Sequence, residues 1–178
     1  MIIGICGPAY SGKTTVALSI CEKDPRYIIL PFAESLKDMA REFGWDGKKD
    51  EKGRRFLQLL GTEIGRCYNP HYWVDRWEDA VIGTAEQFDW PVREACVIAD
   101  DVRFPNEVAA VKSLGGIVIK IDAVQTFREQ RARMHDETLP PAHASEQGVE
   151  GCDAEIDNNG RFDELLEAVR KILETYNV

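Results

Sequence analysis

Residues 1–15 read MIIGICGPAYSGKTT, and the parsing of this stretch decides the fold. Ile2, Ile3 and Ile5 form a short apolar run around Gly4, the pattern of a buried strand. Gly7-Pro8-Ala9-Tyr10-Ser11-Gly12-Lys13-Thr14 then fits G-x-x-x-x-G-K-[ST] at every fixed position. This is a phosphate cradle. Gly7 and Gly12 allow a tight loop whose successive N–H groups face an anion, and Ser11 and Thr15 fall in the same ring of contacts. Lys13 reaches the β- and γ-phosphates, while Thr14 offers a hydroxyl to Mg²⁺. A helix starting near Lys13 adds the positive end of its dipole. Gly-rich turns between strand and helix match this pattern by chance elsewhere. Here the required strand and helix former flank it.

Composition narrows the ligand. The chain has 178 residues, enough for one domain with a real core, and 44% of them are hydrophobic. Lys and Arg number 22 against 31 Asp and Glu, a formal charge of −9. A diffuse negative field repels nucleic-acid polymers and anionic membranes, so neither is an expected partner. A small phosphorylated ligand, held by local Arg and Lys, remains compatible with it. Cys6, Cys21, Cys67, Cys96 and Cys152 are odd in number and scattered singly, which suggests neither a disulfide framework nor a zinc site. Cys6 and Cys96 read as small core residues, and a reducing, cytoplasmic setting is the expectation. Gly7 and Lys13 interrupt the start too early for a signal peptide, and no apolar run has the length of a membrane span.

Downstream, strands and helices alternate. Tyr27–Leu30 is a continuous apolar run, as a strand covered on both faces requires; Ala95–Ala99 is a third buried strand, Ile117–Ile121 a fourth, and Ala154–Ile156 a weaker fifth. Helical spacing follows Lys13 as far as Asp24. It recurs over Glu34–Phe43 (Leu36, Met39, Ala40, Phe43) and, after a polar loop Gly44–Gly53, over Arg54–Arg66. His71–Phe88 is helical in its first part, and Pro105 opens a helix stopped by Gly115. Phe162, Leu165, Leu166, Val169, Ile172 and Leu173 mark the last helix. The fold class is therefore α/β, a doubly wound five-stranded parallel sheet in three α/β/α layers with right-handed crossovers. One domain, 1–178, contains an acceptor-side helical region at about 32–90 and a lid insertion at about 123–150.

In such a sheet ligands bind beyond the carboxyl ends of the strands. Asp100 and Asp101 end the third apolar run, where an acidic residue holds Mg²⁺ directly or through water; Asp101 is the favoured one. The plainer alternative makes either a cap for the helix at Pro105. Arg128, Arg131 and Arg133 follow the fourth strand, and guanidinium forks there suit a lid that neutralises a migrating phosphoryl group and excludes water. The plainer alternative is a solvated helix balanced by Asp136 and Glu137. His71, His135 and His143 lack metal-ligand spacing. Trp73 and Trp77 lie four apart on one face and are more often core, though Trp73 stays a candidate for base contact.

Five further segments carry a resemblance. They are Phe32-Ala33-x-x-Leu36-Lys37, Gly44-Trp45-Asp46-Gly47-Lys48-Lys49-Asp50, Leu57-Gln58 with Gly61-Thr62-Glu63, Asp101-Val102-Arg103-Phe104-Pro105-Asn106-Glu107, and Ile156-Asp157-Asn158-Asn159-Gly160. In this order the chain resembles the phage-type deoxynucleoside monophosphate kinases of the P-loop NMP-kinase group. The resemblance implies transfer of the γ-phosphoryl of ATP to a deoxynucleoside monophosphate, with Mg²⁺, in the cytoplasm of a host if the chain is phage-encoded. It places Asn158 and Asn159 beside the adenine. It assigns Phe32, Ala33, Lys37, Arg66, Trp73, Asp101 and Arg103 to the acceptor, and Lys13, Asp101, Arg128 and Arg131 to catalysis, with Thr14 and Asp101 on the metal. Arg131→Ala should then lower kcat far more than it weakens ATP binding. His143-Ala-Ser-Glu146 stands where His-Pro-Ser-Glu belongs, and Glu146 is a substrate candidate through that match. A homodimer is compatible with the sequence. The rivals are a P-loop kinase for another small acceptor, such as dephospho-coenzyme A or a shikimate-like alcohol, and an ATPase switch that would hydrolyse ATP without acceptor.

Overall fold

The computed structural model describes residues 1–48, 50–139 and 149–176. Five strands, β1 (Ile2–Cys6), β2 (Ile28–Ile29), β3 (Val97–Val102), β4 (Ile117–Asp122) and β5 (Ala154–Asp157), form one parallel sheet in the order β2-β3-β1-β4-β5. Helices fill both faces: α1 (Lys13–Lys23), α2 (Glu34–Glu42), α3 (Glu51–Gln58), α4 (Gly65–Tyr68), α5 (Tyr72–Gln87), α6 (Pro105–Ser113), α7 (Gln125–Met134) and α8 (Phe162–Thr175). The three-layer α/β/α architecture is the one expected.

β1 lies at the centre, which explains why Ile2–Cys6 is apolar without alternation. All five residues are buried, and successive side chains enter opposite layers. Ile2 and Cys6 join Val74, Trp77 and Val81 of α5 and Val111 of α6. Ile3 and Ile5 join Val16 and Ile20 of α1 and Leu165 and Val169 of α8. The cradle is thus rooted in the best-buried strand.

Several expectations shift at the periphery. The strand expected over Tyr27–Leu30 is an edge strand of two ladder residues, half-buried because only β3 flanks it. The apolarity of Leu30 serves packing against the α5 layer, and its carbonyl accepts from Trp77 Nε1 at 2.9 Å. In α2 only Ala40 is buried, and Phe43, placed on the inward face by spacing, is 70% exposed just past the helix end. The helix expected to begin at Arg54 begins at Glu51. Asp50 caps it by accepting from Gly53 N at 2.8 Å, so Gly53 lies inside the first turn instead of closing the loop. Its continuation, Leu59–Ile64, is a π-helical turn before α4, and Ile64 points to solvent. Phe162 is likewise exposed, so the buried stripe of α8 begins at Leu165. No helix among the described residues is long and apolar enough to cross a membrane.

One irregularity matters for chemistry. Gly4 and Cys6 of β1 pair with Ala99 and Val102 of β3, so Asp100 and Asp101 together lie opposite the single residue Ile5. This bulge breaks simple alternation where the two carboxylates leave the sheet.

Candidate functional site

The loop Gly7–Gly12 joins β1 to α1 and takes backbone conformations its sequence demands. Gly7 and Gly12 have φ of 137° and 106°, and Tyr10 also turns left-handed at 62°. A Cβ on Gly7 would stand 2.0 Å from the Ile121 carbonyl oxygen, and one on Gly12 2.4 Å from Asn158 Nδ2. Both positions therefore exclude side chains. Lys13 curls over the loop, donating from Nζ to the Gly7 and Pro8 carbonyls at 2.8 and 2.7 Å. Ser11 is fully buried and its hydroxyl has no hydrogen-bond partner among the described residues. A buried, unpaired hydroxyl costs about 1–3 kcal/mol. In a glycine-shaped cradle at a helix N-terminus it fits a phosphate oxygen, so the residues present suit a nucleotide polyphosphate.

A brace surrounds the loop. Asn158, just beyond β5, donates from Nδ2 to the Ser11 carbonyl at 2.7 Å and from its backbone N to Asp122 O at 2.7 Å. Arg131 of α7 closes the same ring, donating to the carbonyls of Tyr10 at 3.1 Å, Ser11 at 3.3 Å and Asn158 at 2.8 Å. Burial holds its pKa below the usual guanidinium value. Asn158 thus spends its amide on the loop backbone, and Asn159 accepts from Val124 N at 2.7 Å and donates to Asp157. Arg128 turns back to the Ala123 carbonyl at 3.1 Å, and Arg133 is exposed near Glu129. Of the three arginines expected in a lid, Arg131 therefore braces the cradle. Tyr10 Oη and Arg54 of α3 both donate to Glu137, which follows α7 and so joins the loop to two other segments.

The two acidic residues of β3 separate cleanly. Thr14 Oγ1 donates to Asp100 Oδ2 at 2.8 Å. Asp101 faces the other way and accepts from the backbone N–H of Phe32 at 2.8 Å and of Ala33 at 3.0 Å. Burial raises its pKa, with the charge of Asp100 adding to the rise and the two N–H donors opposing it. The pairing of Asp101 with Thr14 on one metal therefore does not match this geometry; the bulge brings Asp100 to Thr14 instead. Among the described residues no group of three or more His, Cys, Asp or Glu is placed to hold a metal ion. A Mg²⁺ ion does not require one, since a hydroxyl, one carboxylate, phosphate oxygens and water suit it. Thr14 and Asp100 are the protein groups that fit.

On the side where the sequence leads us to expect an acceptor, Arg66 of α4 is largely buried and lies over the Phe104 ring, 3.9 Å from its centroid. It pairs with Glu107 of α6 and reaches Asn106 Oδ1 at 3.3 Å. Glu107 also accepts from the backbone N–H of Arg103 at 2.6 Å and of Phe104 at 3.1 Å. Burial, then the charge of Asp101, pushes its pKa up to about 7. Lys37 pairs with Glu34 at 2.8 Å. Phe32 is buried and stacks on Trp77 with centroids 4.3 Å apart. Trp73, kept as a candidate for base contact, is only 3% exposed and donates to the Gly61 carbonyl at 2.7 Å; it is core. Gly65, the first residue of α4, leaves room for this ring, because a Cβ there would lie 2.7 Å from its Nε1. Glu146 lies outside the described residues. Sequence reasoning did not single out Glu107, which ties Arg66 to the backbone at the start of α6. Its signal was Pro105 at the helix start with an acid two positions on, the pattern of a first turn whose side chain reaches back to free N–H groups.

These features together make a three-layer α/β/α fold with a phosphate-loop motif between its central strand and α1. No family model matches the chain. A protein of Acanthamoeba polyphaga mimivirus named "Putative deoxynucleotide monophosphate kinase" is 25% identical over a 198-residue alignment, covering 95% of this chain and 94% of that protein. Among solved structures, shikimate kinase from Bacteroides thetaiotaomicron superposes with a TM-score of 0.56 at 10% identity, covering 100% of this chain and 99% of the other. The Mycobacterium tuberculosis APS kinase in complex with AMPPNP and APS gives a TM-score of 0.53 at 15% identity, covering 97% and 96%. At such identities the likeness is one of fold.

Proposed function

We propose that the chain is an ATP-dependent kinase that transfers the γ-phosphoryl group to a deoxynucleoside monophosphate, giving ADP and the diphosphate. The observation that carries this reading is the run of groups along the end of β3. Asp100 meets the cradle through Thr14, and Asp101 meets the segment that starts α2. In this reading a donor loop and an acceptor wall share one strand end. The name of the viral relative supports a nucleotide acceptor.

The chemistry asked of the protein is mostly positioning and charge stabilisation, because the transition state is loose. Thr14 and Asp100 would hold Mg²⁺, whose bound charge neutralises β- and γ-phosphate oxygens. Lys13 leaves its two loop carbonyls for the phosphates, and the Ser11 hydroxyl gains an acceptor. Arg131 fixes the loop carbonyls so that the N–H groups stay aimed inward. Arg66 and Arg103, with Lys37 at the rim, take the acceptor phosphate. Asp101 acts as a positioning residue by holding Phe32 and Ala33.

A panel of the common deoxy- and ribonucleoside monophosphates with ATP and Mg²⁺, read by ADP release, tests this. Turnover with at least one deoxynucleotide well above the acceptor-free rate is the expected outcome. Equal ADP release with and without every acceptor would overturn the reading in favour of an ATPase.

A further inference from the structure

The five cysteines look unrelated in sequence, yet two of them meet. Cys6 Sγ and Cys152 Sγ are 3.2 Å apart although 146 residues separate them. Cys6 is the last residue of β1, buried immediately before Gly7. Cys152 is half-buried, lies two residues before β5 and packs against the same core layer. We infer that Cys6 and Cys152 form a peroxide-oxidisable thiol pair, in which Cys152 is the attacked residue and Cys6 resolves it to an intramolecular disulfide.

The placement is firm on both sides. Asp153 pins the chain next to Cys152, donating from its backbone N to Val118 O at 2.8 Å and accepting from Val118 N at 2.8 Å and Lys112 Nζ at 2.9 Å. A disulfide needs sulfurs about 2.05 Å apart, so closure asks for a movement of about 1.2 Å, within reach of side-chain rotation. The electronic setting favours Cys152 as the nucleophile. A hydrogen bond from Cys6, helped by the charges of Lys120 and Lys112 and opposed by burial and Asp153, brings its thiol down to about 7. The same hydrogen bond and burial push the Cys6 thiol up, so Cys6 keeps its proton.

The steps balance. The Cys152 thiolate attacks one oxygen of hydrogen peroxide, the O–O bond breaks and hydroxide leaves, giving a sulfenic acid. The Cys6 sulfur then attacks the Cys152 sulfur, the S–O bond breaks, and the departing hydroxide takes the Cys6 proton as water. The two sulfurs together lose two electrons, and one peroxide becomes one water and one hydroxide, the hydroxide becoming a second water with the proton that Cys152 released on forming its thiolate. The new bond ties the residue before the cradle to the chain that leads into β5.

The test is peptide mass spectrometry on the full chain after brief hydrogen peroxide treatment, with thiols alkylated under denaturing conditions. The expected product is a cross-linked Cys6–Cys152 peptide pair lacking two hydrogen atoms, reversed by dithiothreitol, with Cys21 and Cys67 still alkylated. In Cys6→Ser, whose hydroxyl can still donate to Cys152, the reaction should stop at a sulfenic acid on Cys152 that dimedone traps; Cys6→Ala, unable to resolve and without the donor, should give the same dimedone adduct more slowly. The inference is overturned if both cysteines remain fully alkylated while exposed Cys67 is oxidised, or if dimedone labels Cys152 equally with and without Cys6. The readout is a mass, so it stands whether or not the chain phosphorylates a nucleotide.

Discussion

The two sides of the proposed site, for donor and for acceptor, are made of different materials. The cradle is continuous backbone: Gly7 to Thr14, shaped by two glycines at positive φ and braced through main-chain carbonyls by Asn158 and Arg131. The acceptor wall is assembled from side chains far apart in sequence. Phe32 and Ala33 hang from Asp101, and Arg66 of α4 is fastened to Glu107 of α6. A backbone-built site is rigid wherever the chain folds, and it fails mainly when a glycine gains a side chain. A side-chain-built site depends on buried charges keeping their partners, and losing one leaves the other stranded in low dielectric.

The largest effect should fall on the donor side. Lys13→Ala removes the ammonium that neutralises the migrating phosphoryl group, and turnover should drop by about 10³-fold or more. Its thermal stability should change little, because the two carbonyls it leaves lie in a partly open loop. Near-normal turnover would take Lys13 out of the mechanism. The paired variants Asp100→Asn and Asp101→Asn separate the two sides directly. Asp100→Asn should lower turnover by about 10²-fold and raise the Mg²⁺ concentration needed, with the melting temperature nearly unchanged. Asp101→Asn should instead destabilise the fold by about 1–3 kcal/mol, since one of the N–H groups of Phe32 and Ala33 then faces an amide NH2 in place of its acceptor oxygen. Equal Mg²⁺ dependence in both variants would show that the bulge does not divide their roles.

The same contrast explains what the sequence disclosed. The cradle, the central strand and the layer order were legible because they depend on local pattern: one eight-residue motif and continuous apolar runs. The choice between Asp100 and Asp101 was not, because a single extra residue in β3 re-aims both side chains, and bulges leave no period to read. The candidacy of Trp73 for base contact and the inward placement of Phe43 fell for opposite reasons, while Trp73 is core, as its spacing suggests. Helical spacing says which residues share a face, and only the neighbours decide whether that face meets core or water. The π-helical turn at Leu59–Ile64 and the meeting of Cys6 with Cys152 are likewise tertiary facts.

Glu107 sharpens the acceptor half. Its carboxyl titrates at about 7 in the fold against an ordinary 4.5, with burial the main cause. Between those values the folded chain binds a proton that the unfolded chain has released, so stability falls as pH rises through this window and levels off above it. The loss between about pH 5 and pH 8 is about 2–3 kcal/mol by this linkage. Glu107→Gln cannot titrate. The difference in unfolding free energy between the native chain and this variant, measured by urea titration across that range, should therefore slope downward with pH. A difference that does not change with pH would remove Glu107 as the titrating group.

Arg131 gives the smallest and most discriminating effect. As a lid residue placed over phosphates it would act on the transition state, and Arg131→Ala would spare ATP affinity while lowering kcat. Its guanidinium instead lies against three carbonyls of the cradle and its brace. A group that holds the loop shape affects every bound state that uses the loop, so ground state and transition state lose together. Arg131→Ala should then weaken ATP binding by about tenfold, with kcat falling by no more than that. Lysine at this position recovers a charge but lacks the planar fork that spans several carbonyls, so Arg131→Lys should restore only part of the affinity. Isothermal titration with a non-hydrolysable ATP analogue, alongside steady-state kinetics, separates the two roles. A large fall in kcat at unchanged affinity would return Arg131 to the transition state and make the donor side, like the acceptor side, a site built from side chains.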